Sequence, residues 1–291
     1  MIESGLQHTN SFHLAGIVPV AGEELDFNMP WHDCFMPLAK NYLAVEHAVQ
    51  ECAMAGCETI WIVCHKDMQP LIRERIGEWI FDPVSLHRPV NGASYEKRIA
   101  IFYVPIHPKD RYKRDCLGWS VLYGALTAYH VSNRISKWVI PDKYYAAFPY
   151  GLYPLDVVRE NRDKFSSSKT YRLTHNGDSI KNNNYLGFTF DAEDFKACRR
   201  IIRKEATHAR DENGDKLPLQ ERYSARHFSL DTVFKGAIMD GEIEVEWFHN
   251  VGSWDGYQNF LASPESKSIS RPRKMKYKEW NPIGFDEVDD E

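Results

Sequence analysis

From His13 to Glu78 the apolar positions alternate between unbroken runs and helical spacing. The run His13 to Ala21, HLAGIVPVA, predicts a strand. A proline-bounded loop, Met29 to Leu38, follows it. Ala39 to Ala55 then carries helical periodicity and is closed by Gly56, and Thr59 to Cys64 is a second unbroken run. A strand buried on both faces reads as a continuous apolar run, and a parallel neighbour needs a helical crossover. The pattern is therefore a βαβ opening. Such sheets bind ligands where strands end and helices begin, which points to a nucleotide or another phosphorylated small molecule.

The alternation continues. Met68 to Trp79 is an amphipathic helix with Leu71, Ile72, Ile76 and Trp79 on one face and Pro70 in its first turn, and Asp82-Pro83 ends the unit. Arg98 to Ile106 predicts a strand, Lys109 to Asp115 a charged loop, and Trp119 to Asn133 a helix. Lys137 to Ile140 predicts a short strand ending at Pro141-Asp142-Lys143. Strand and helix alternating in this way predict an α/β fold of Rossmann-like type. Its central sheet is mixed but mostly parallel, with helices on both faces. The second half is less regular. Strands are expected at 169–173 and 185–190, with a turn at Asn176-Gly177-Asp178 between them. A helix capped by Asp191 runs to Glu205, residues 207–220 form a loop, and a helix spans 230–239. An alternating strand follows at 241–250, then a short helix at 255–262.

Composition narrows the picture only a little. At 291 residues the chain can bury a sizeable core, and a net charge of −5 argues against a general polyanion binder. From Pro264 the character changes. Lys267, Arg271, Arg273, Lys274, Lys276 and Lys278 are basic, and the end is acidic. We therefore divide the chain into an α/β domain, 1–263, and a tail, 264–291. With Tyr277 and Trp280 among its bases, Lys267–Lys278 is a candidate nucleic-acid contact. No secretory pattern and no membrane-length apolar stretch is expected. The six cysteines form no CxxC pair, so free buried thiols and a cytoplasmic location follow.

The order of these features resembles the sugar-phosphate nucleotidyltransferases, within the wider nucleotide-diphospho-sugar transferase superfamily with the GT-A type fold. Leu14 to Ala21 resembles that family's first strand. Phe35-Met36-Pro37-Leu38 with the helix after it resembles the element that follows, and Ala55 to Val63 its "alanine-glycine, then strand" element. Gly118 to Ala128 resembles the glycine-led helix near the nucleotide base, and Val139 to Asp142 the strand ending in a metal-binding aspartate. Leu186 to Phe190 resembles the glycine-containing strand near the sugar, and Trp247 to Ser253 the late motif that normally holds an aspartate. The resemblance implies a base contact at Gly118 and a sugar contact at Gly187. Three positions depart from the family pattern. The loop after the first strand reads Val20-Ala21-Gly22-Glu23-Glu24, Pro30-Trp31 stands for Pro-Lys, and Asn250 for the late aspartate.

Candidate chemistry then falls on a short set. Val20, Ala21 and Gly22 are candidates for close backbone approach to phosphate, against an ordinary strand-to-loop glycine. Asp142 is the leading catalytic and metal position, since Mg²⁺ or Mn²⁺ prefers carboxylate oxygens and bridges diphosphates. Asp255 or Asn250 would add a second ligand, although Asp255 also suits a helix cap. Lys40 and Lys143 are candidate phosphate contacts. His32-Asp33 is an acid–base or metal candidate, and Arg111, Lys113 and Arg114 are a phosphate clamp, a nucleic-acid contact or a solvated loop. Three readings stay open: metal-dependent nucleotidyl transfer to a sugar phosphate; glycosyl transfer from a nucleotide sugar, with nucleic acid as one acceptor class; and nucleotide binding without chemistry.

Overall fold

The apolar run near the amino terminus forms strand β1, Leu14–Pro19, with every residue buried. A computed structural model describes residues 12–22, 28, 31–84, 97–111, 114, 116–208, 213–215 and 228–272. Within them the chain runs through β2 (Pro37–Ala39), β3 (Tyr42–Leu43), α1 (Ala44–Ala55), β4 (Thr59–Cys64), α2 (Gln69–Ile76) and β5 (Trp79–Phe81). It continues through β6 (Arg98–Pro105), α3 (Pro108–Arg111), α4 (Leu117–Ile135), β7 (Lys143–Ala146), β8 (Gly151–Leu152), α5 (Leu155–Glu160) and α6 (Arg162–Phe165). The last elements are β9 (Tyr171–Thr174), β10 (Phe188–Phe190), α7 (Ala192–His208), α8 (Leu230–Phe234), β11 (Gly241–Glu244), β12 (His249–Asn250) and α9 (Trp254–Ala262).

The main sheet has eight strands in the order β11-β9-β10-β7-β1-β4-β6-β5. Strands β7, β1, β4 and β6 are mutually parallel, whereas β5 and β10 run antiparallel to their neighbours. The expected mostly parallel α/β sheet is thus what forms. Successive strand residues face opposite sides, so β1 shows which helix lies where. A Cβ on Gly16 would meet Cys52 of α1 at 2.8 Å. A Cβ on Gly124 of α4 would meet Ile17 at 2.8 Å and Val63 at 2.7 Å. Helix α1 therefore covers one face and α4 the other.

Several elements shift from expectation. The helix expected from Ala39 begins at Ala44, because Pro37 to Leu43 folds as the β2–β3 hairpin turned by Asn41 at φ 56°. Glu46 accepts the Leu43 amide at 2.7 Å and opens α1, and Gly56 at φ 95° ends it. The run 241–250 splits into β11 in the main sheet and β12, which pairs with β8. Most consequential is Lys137 to Ile140, expected as a strand. Lys137–Val139 is a single 3₁₀ turn with Trp138 94% exposed, and the strand is Lys143–Ala146, wholly buried. All six cysteines are buried and none forms a disulfide. Beyond Pro264 the chain stays close to the body as far as it is described. Ile269 packs on the core, and Glu265 lies 3.4 Å from His249. Residues 273–291 lie outside the described residues.

Candidate functional site

The parallel strands end together at one edge, where β1 passes into the Val20-Ala21-Gly22 turn. This turn is held from three sides. The amides of Val20 and Ala21 both donate to the Val63 carbonyl, at 2.8 and 3.0 Å. The Ala21 carbonyl accepts the Ser120 hydroxyl of α4 at 2.5 Å, and the Val20 carbonyl accepts the Tyr150 hydroxyl at 3.1 Å. Gly22 has φ +87°, and a Cβ there would lie 2.4 Å from the carbonyl carbon of Cys116. Only glycine permits both that dihedral and that approach. The sequence reading offered all three residues as backbone donors. Two of those amides are already committed to Val63, which leaves Gly22.

Helix α4 starts beside this turn. Its first-turn amide at Trp119 donates to the Cys116 thiol at 3.4 Å, and the Ser120 amide donates to the Cys116 carbonyl. Gly118 lies in that first turn, where a Cβ would press on Val233 of α8 at 2.8 Å. Trp119 is 4% exposed and its indole Nε1 has no hydrogen-bond partner. The Arg114 guanidinium lies 4.2 Å over the Trp119 ring and also pairs with Asp110 at 3.1 Å. Arg111 lies at the end of α3, and Lys113 lies outside the described residues.

His32 and Asp33 reach the same edge. Cys34 lies in electrostatic range of Cys64, the last residue of β4. His32 Nδ1 is 2.9 Å from Asp33 Oδ1, which also accepts the Cys34 amide at 2.9 Å. Asp33 is buried, with Oδ2 unpartnered. Asn250 flanks the edge through the β12–β8 pair, and its side-chain oxygen accepts the Gly252 amide at 2.9 Å. Asp255 is exposed in the first turn of α9, which is capped by Ser253 rather than by Asp255. Lys40 is exposed on the β2–β3 turn, and Tyr257 of α9 donates to Pro37 of that hairpin at 2.8 Å.

Asp142 and Lys143 lie elsewhere. Because β7 starts at Lys143 and Leu14 pairs with it, both residues sit at the amino edge of the sheet. One oxygen of Asp142 accepts the His13 amide at 2.8 Å. A strand rises about 3.3 Å per residue, so the seven steps from His13 to Val20 put roughly 20 Å between Asp142 and the turn. The expectation that Asp142 ends a strand at the carboxyl edge is corrected by this placement. Residues following β7 at that edge are Ala147 and Phe148, both buried and neither a ligand. Lys143 is 1% exposed, and its ammonium donates to the carbonyls of Phe165 and Ser167, each at 2.9 Å, and to that of Lys169. Burial lowers its pKa to about 8. It is a structural cation, not a phosphate contact.

The residues expected to hold Mg²⁺ or Mn²⁺ therefore do not converge. Asp142 is at the wrong edge, Asn250 is neutral and already bonded, and Asp255 is exposed. Among the described residues no group of three or more His, Cys, Asp or Glu side chains is arranged to hold a metal ion. Such ions need oxygens at about 2.0–2.1 Å, so this set does not fit one. Of the tail's basic residues, Lys267 is exposed, Arg271 lies in electrostatic range of Tyr42 and Glu46, and 273–278 lie outside the described residues. No helix among the described residues is long and apolar enough to cross a membrane.

Sequence reasoning missed a buried polar group on α1. Glu51 is wholly buried, and its Oε1 accepts the Tyr145 hydroxyl at 2.7 Å and the Tyr153 hydroxyl. Burial pushes its pKa up to about 8, against the pull of the two hydroxyls. Gly187 closes this group. Its amide donates to the Tyr153 hydroxyl at 3.1 Å, and a Cβ would lie 2.5 Å from Glu51 Oε1. Beside it His47 is buried, and burial lowers its pKa to about 4. The local signal was a run of polar residues, Glu46, His47, Gln50 and Glu51, within the helix expected over Ala39 to Ala55.

No protein-family model and no curated protein matches this chain. Solved structures do. A Bacillus anthracis protein assigned as a glucose-1-phosphate thymidylyltransferase, solved with sucrose, superimposes with a TM-score of 0.53 at 11% identity, covering 90% of this chain and 98% of that one. An apo UDP-glucose pyrophosphorylase gives 0.49 at 12% identity, covering 88% and 100%. The same enzyme name with UDP-glucose bound gives 0.47 at 12% identity, covering 88% and 98%. At these identities the first likeness speaks for the fold.

Proposed function

We propose that the carboxyl edge of the main sheet binds a nucleotide or nucleotide sugar, and that nucleotidyl transfer to a sugar phosphate is its reaction. The carrying observation is the meeting of the Gly22 turn with the start of α4, where Gly22 packs on the Cys116 carbonyl. In open α/β sheets this crevice, outside the strand ends, is where ligands bind. The helix start adds positive potential, which suits phosphate oxygens. His32, backed by buried Asp33, is the titratable pair on this edge. We give it the handling of a proton or of a ligand hydroxyl.

In this reading a sugar phosphate attacks the α-phosphate in line, and diphosphate leaves. Catalysis of that step is chiefly positioning and neutralisation of charge on the leaving group. A divalent ion would supply such neutralisation, but among the described residues no group of carboxylates is arranged to hold one, so no step is assigned to it. The same observation favours a second reading, nucleotide binding without turnover. Glycosyl transfer from a nucleotide sugar uses the same groove.

The test is a panel of nucleoside triphosphates and nucleotide sugars, screened by thermal shift with and without Mg²⁺ or Mn²⁺ and then assayed for turnover. A ligand present at one hundred times its dissociation constant stabilises the folded chain by about 2.7 kcal/mol. Pyrophosphate release in the presence of a sugar phosphate supports transfer. A shift without turnover supports binding alone. No shift with any member of the panel ends the nucleotide reading.

A further inference from the structure

Two buried polar atoms near the start of α4 have no hydrogen-bond partner: Trp119 Nε1 and Arg199 Nε. Both are donors that cannot accept. Buried donors left unpaired are costly, so the missing partner must bring acceptor atoms. Arg199 lies in electrostatic range of Arg114, which stacks on Trp119, and the topology explains why. Strand β10 runs antiparallel to β7 and ends at the amino edge, where Asp191 lies in electrostatic range of Lys143. Helix α7 then climbs back toward the carboxyl edge, carrying Arg199 and Arg203 to the flank of α4.

The charge there is positive. Arg114 lies over Trp119 and has Asp110 as its carboxylate partner. Arg199 lies 5.9 Å from the Phe195 ring and in electrostatic range of both Arg203 and Arg114. These guanidinium groups gather beside a 19-residue helix whose positive end points the same way. The Val20-Ala21-Gly22 turn carries no cationic side chain, so cationic groups for a phosphorylated ligand must come from another element.

We propose that Arg114 and Arg199, with the Trp119 indole N–H and the first turn of α4, seat the oligophosphate of the bound nucleotide. The proposal rests on the nucleotide reading above and names the part of the ligand that this end of the groove takes. Guanidinium forks match phosphate oxygens in pairs, and a stacked arginine is already oriented for it.

The probes are inorganic tripolyphosphate, a nucleoside triphosphate and a single-stranded oligonucleotide, titrated by calorimetry into the full chain. The variants are Arg199→Met, which keeps an apolar stem, and Trp119→Phe, which keeps a ring but removes the N–H. Losing a hydrogen bond to a charged group weakens binding by about tenfold or more. We expect that loss for tripolyphosphate and triphosphate in Arg199→Met, and a several-fold loss in Trp119→Phe, with urea midpoints unchanged. Equal tripolyphosphate affinity in wild type and both variants overturns the proposal. So does a loss seen with the oligonucleotide alone, which would make this a nucleic-acid surface. Tripolyphosphate binding that depends on Arg199, with no nucleotide bound, keeps the seat and ends the nucleotide reading instead.

Discussion

Glu51→Gln should flatten the pH dependence of stability. In the folded chain this carboxyl is sealed between α1 and the sheet with two tyrosine hydroxyls on one oxygen, and its pKa is about 8 against an ordinary 4.5. Between those values the native state keeps a proton that the unfolded chain has released. The contribution is therefore complete below pH 4.5, falls as pH rises through the window, and is gone above about 8. The slope is about 1.4 kcal/mol per pH unit, which sums to roughly 4 to 5 kcal/mol across the window. Glutamine is neutral throughout, and its oxygen can accept the same two hydroxyls. Urea unfolding of both proteins at pH 5 and pH 8.5, under otherwise identical conditions, isolates the effect as a double difference. Wild type should lose a few kcal/mol more than the variant on going to pH 8.5. Identical losses would show that Glu51 is not held protonated, and the reasoning about its burial would fail.

Other outcomes follow from the geometry. Lys143→Met removes three donor bonds to the carbonyls of Phe165, Ser167 and Lys169 and should cost about 2–4 kcal/mol in urea unfolding. Nucleotide affinity of the folded variant should be unchanged, and a selective loss of affinity would bring Lys143 back to the site. Asp142→Asn should leave any Mg²⁺-dependent thermal shift intact, because this residue caps His13 at the far edge of the sheet. A vanished shift would refute that placement. Gly22→Ala forces an unfavourable φ and a 2.4 Å contact on the Cys116 carbonyl carbon. It should cost about 1–3 kcal/mol and lower nucleotide affinity at least tenfold by calorimetry, so an unperturbed variant would argue against the turn as part of the groove.

The parts of the fold legible in the sequence are those where local pattern and tertiary role agree. Strands β1 and β4 are apolar runs that the sheet buries, whereas β6 is buried only in part. Helices α4 and α7 carry helical spacing with recognisable ends, whereas α2 stops at Ile76 and Trp79, expected on its face, opens β5. Asp191 caps α7 as expected, its side chain accepting the Glu193 and Asp194 amides at 2.8 and 3.0 Å. Strand β7 was not legible. Lys-Trp-Val-Ile has the apolar character of a strand, while Lys143 opens the true one, and no local rule anticipates a lysine satisfied by three distant carbonyls. That shift of one element reverses which end of the sheet Asp142 occupies, and the proposed metal set dissolves with it. The turn at Val20–Gly22 was visible because backbone geometry demands glycine at its end, and the glycine-led start of α4 through the family resemblance, Gly118 being held small by Val233. The approach of Arg199 to Arg114 depends on an antiparallel strand turning α7 around, which no spacing in the chain encodes.

The sealed thiols have a practical consequence for each of these measurements. All six cysteines are enclosed in the native core and unlinked, so the folded chain should resist alkylating reagents and mild oxidants. Denaturant exposes all of them at once, and thiolates form readily above about pH 8. Without a reductant the unfolded chains will cross-link in air, and return from urea will become incomplete. Reversibility should therefore track the redox buffer, while the unfolding midpoint in fresh reductant reports the packing alone.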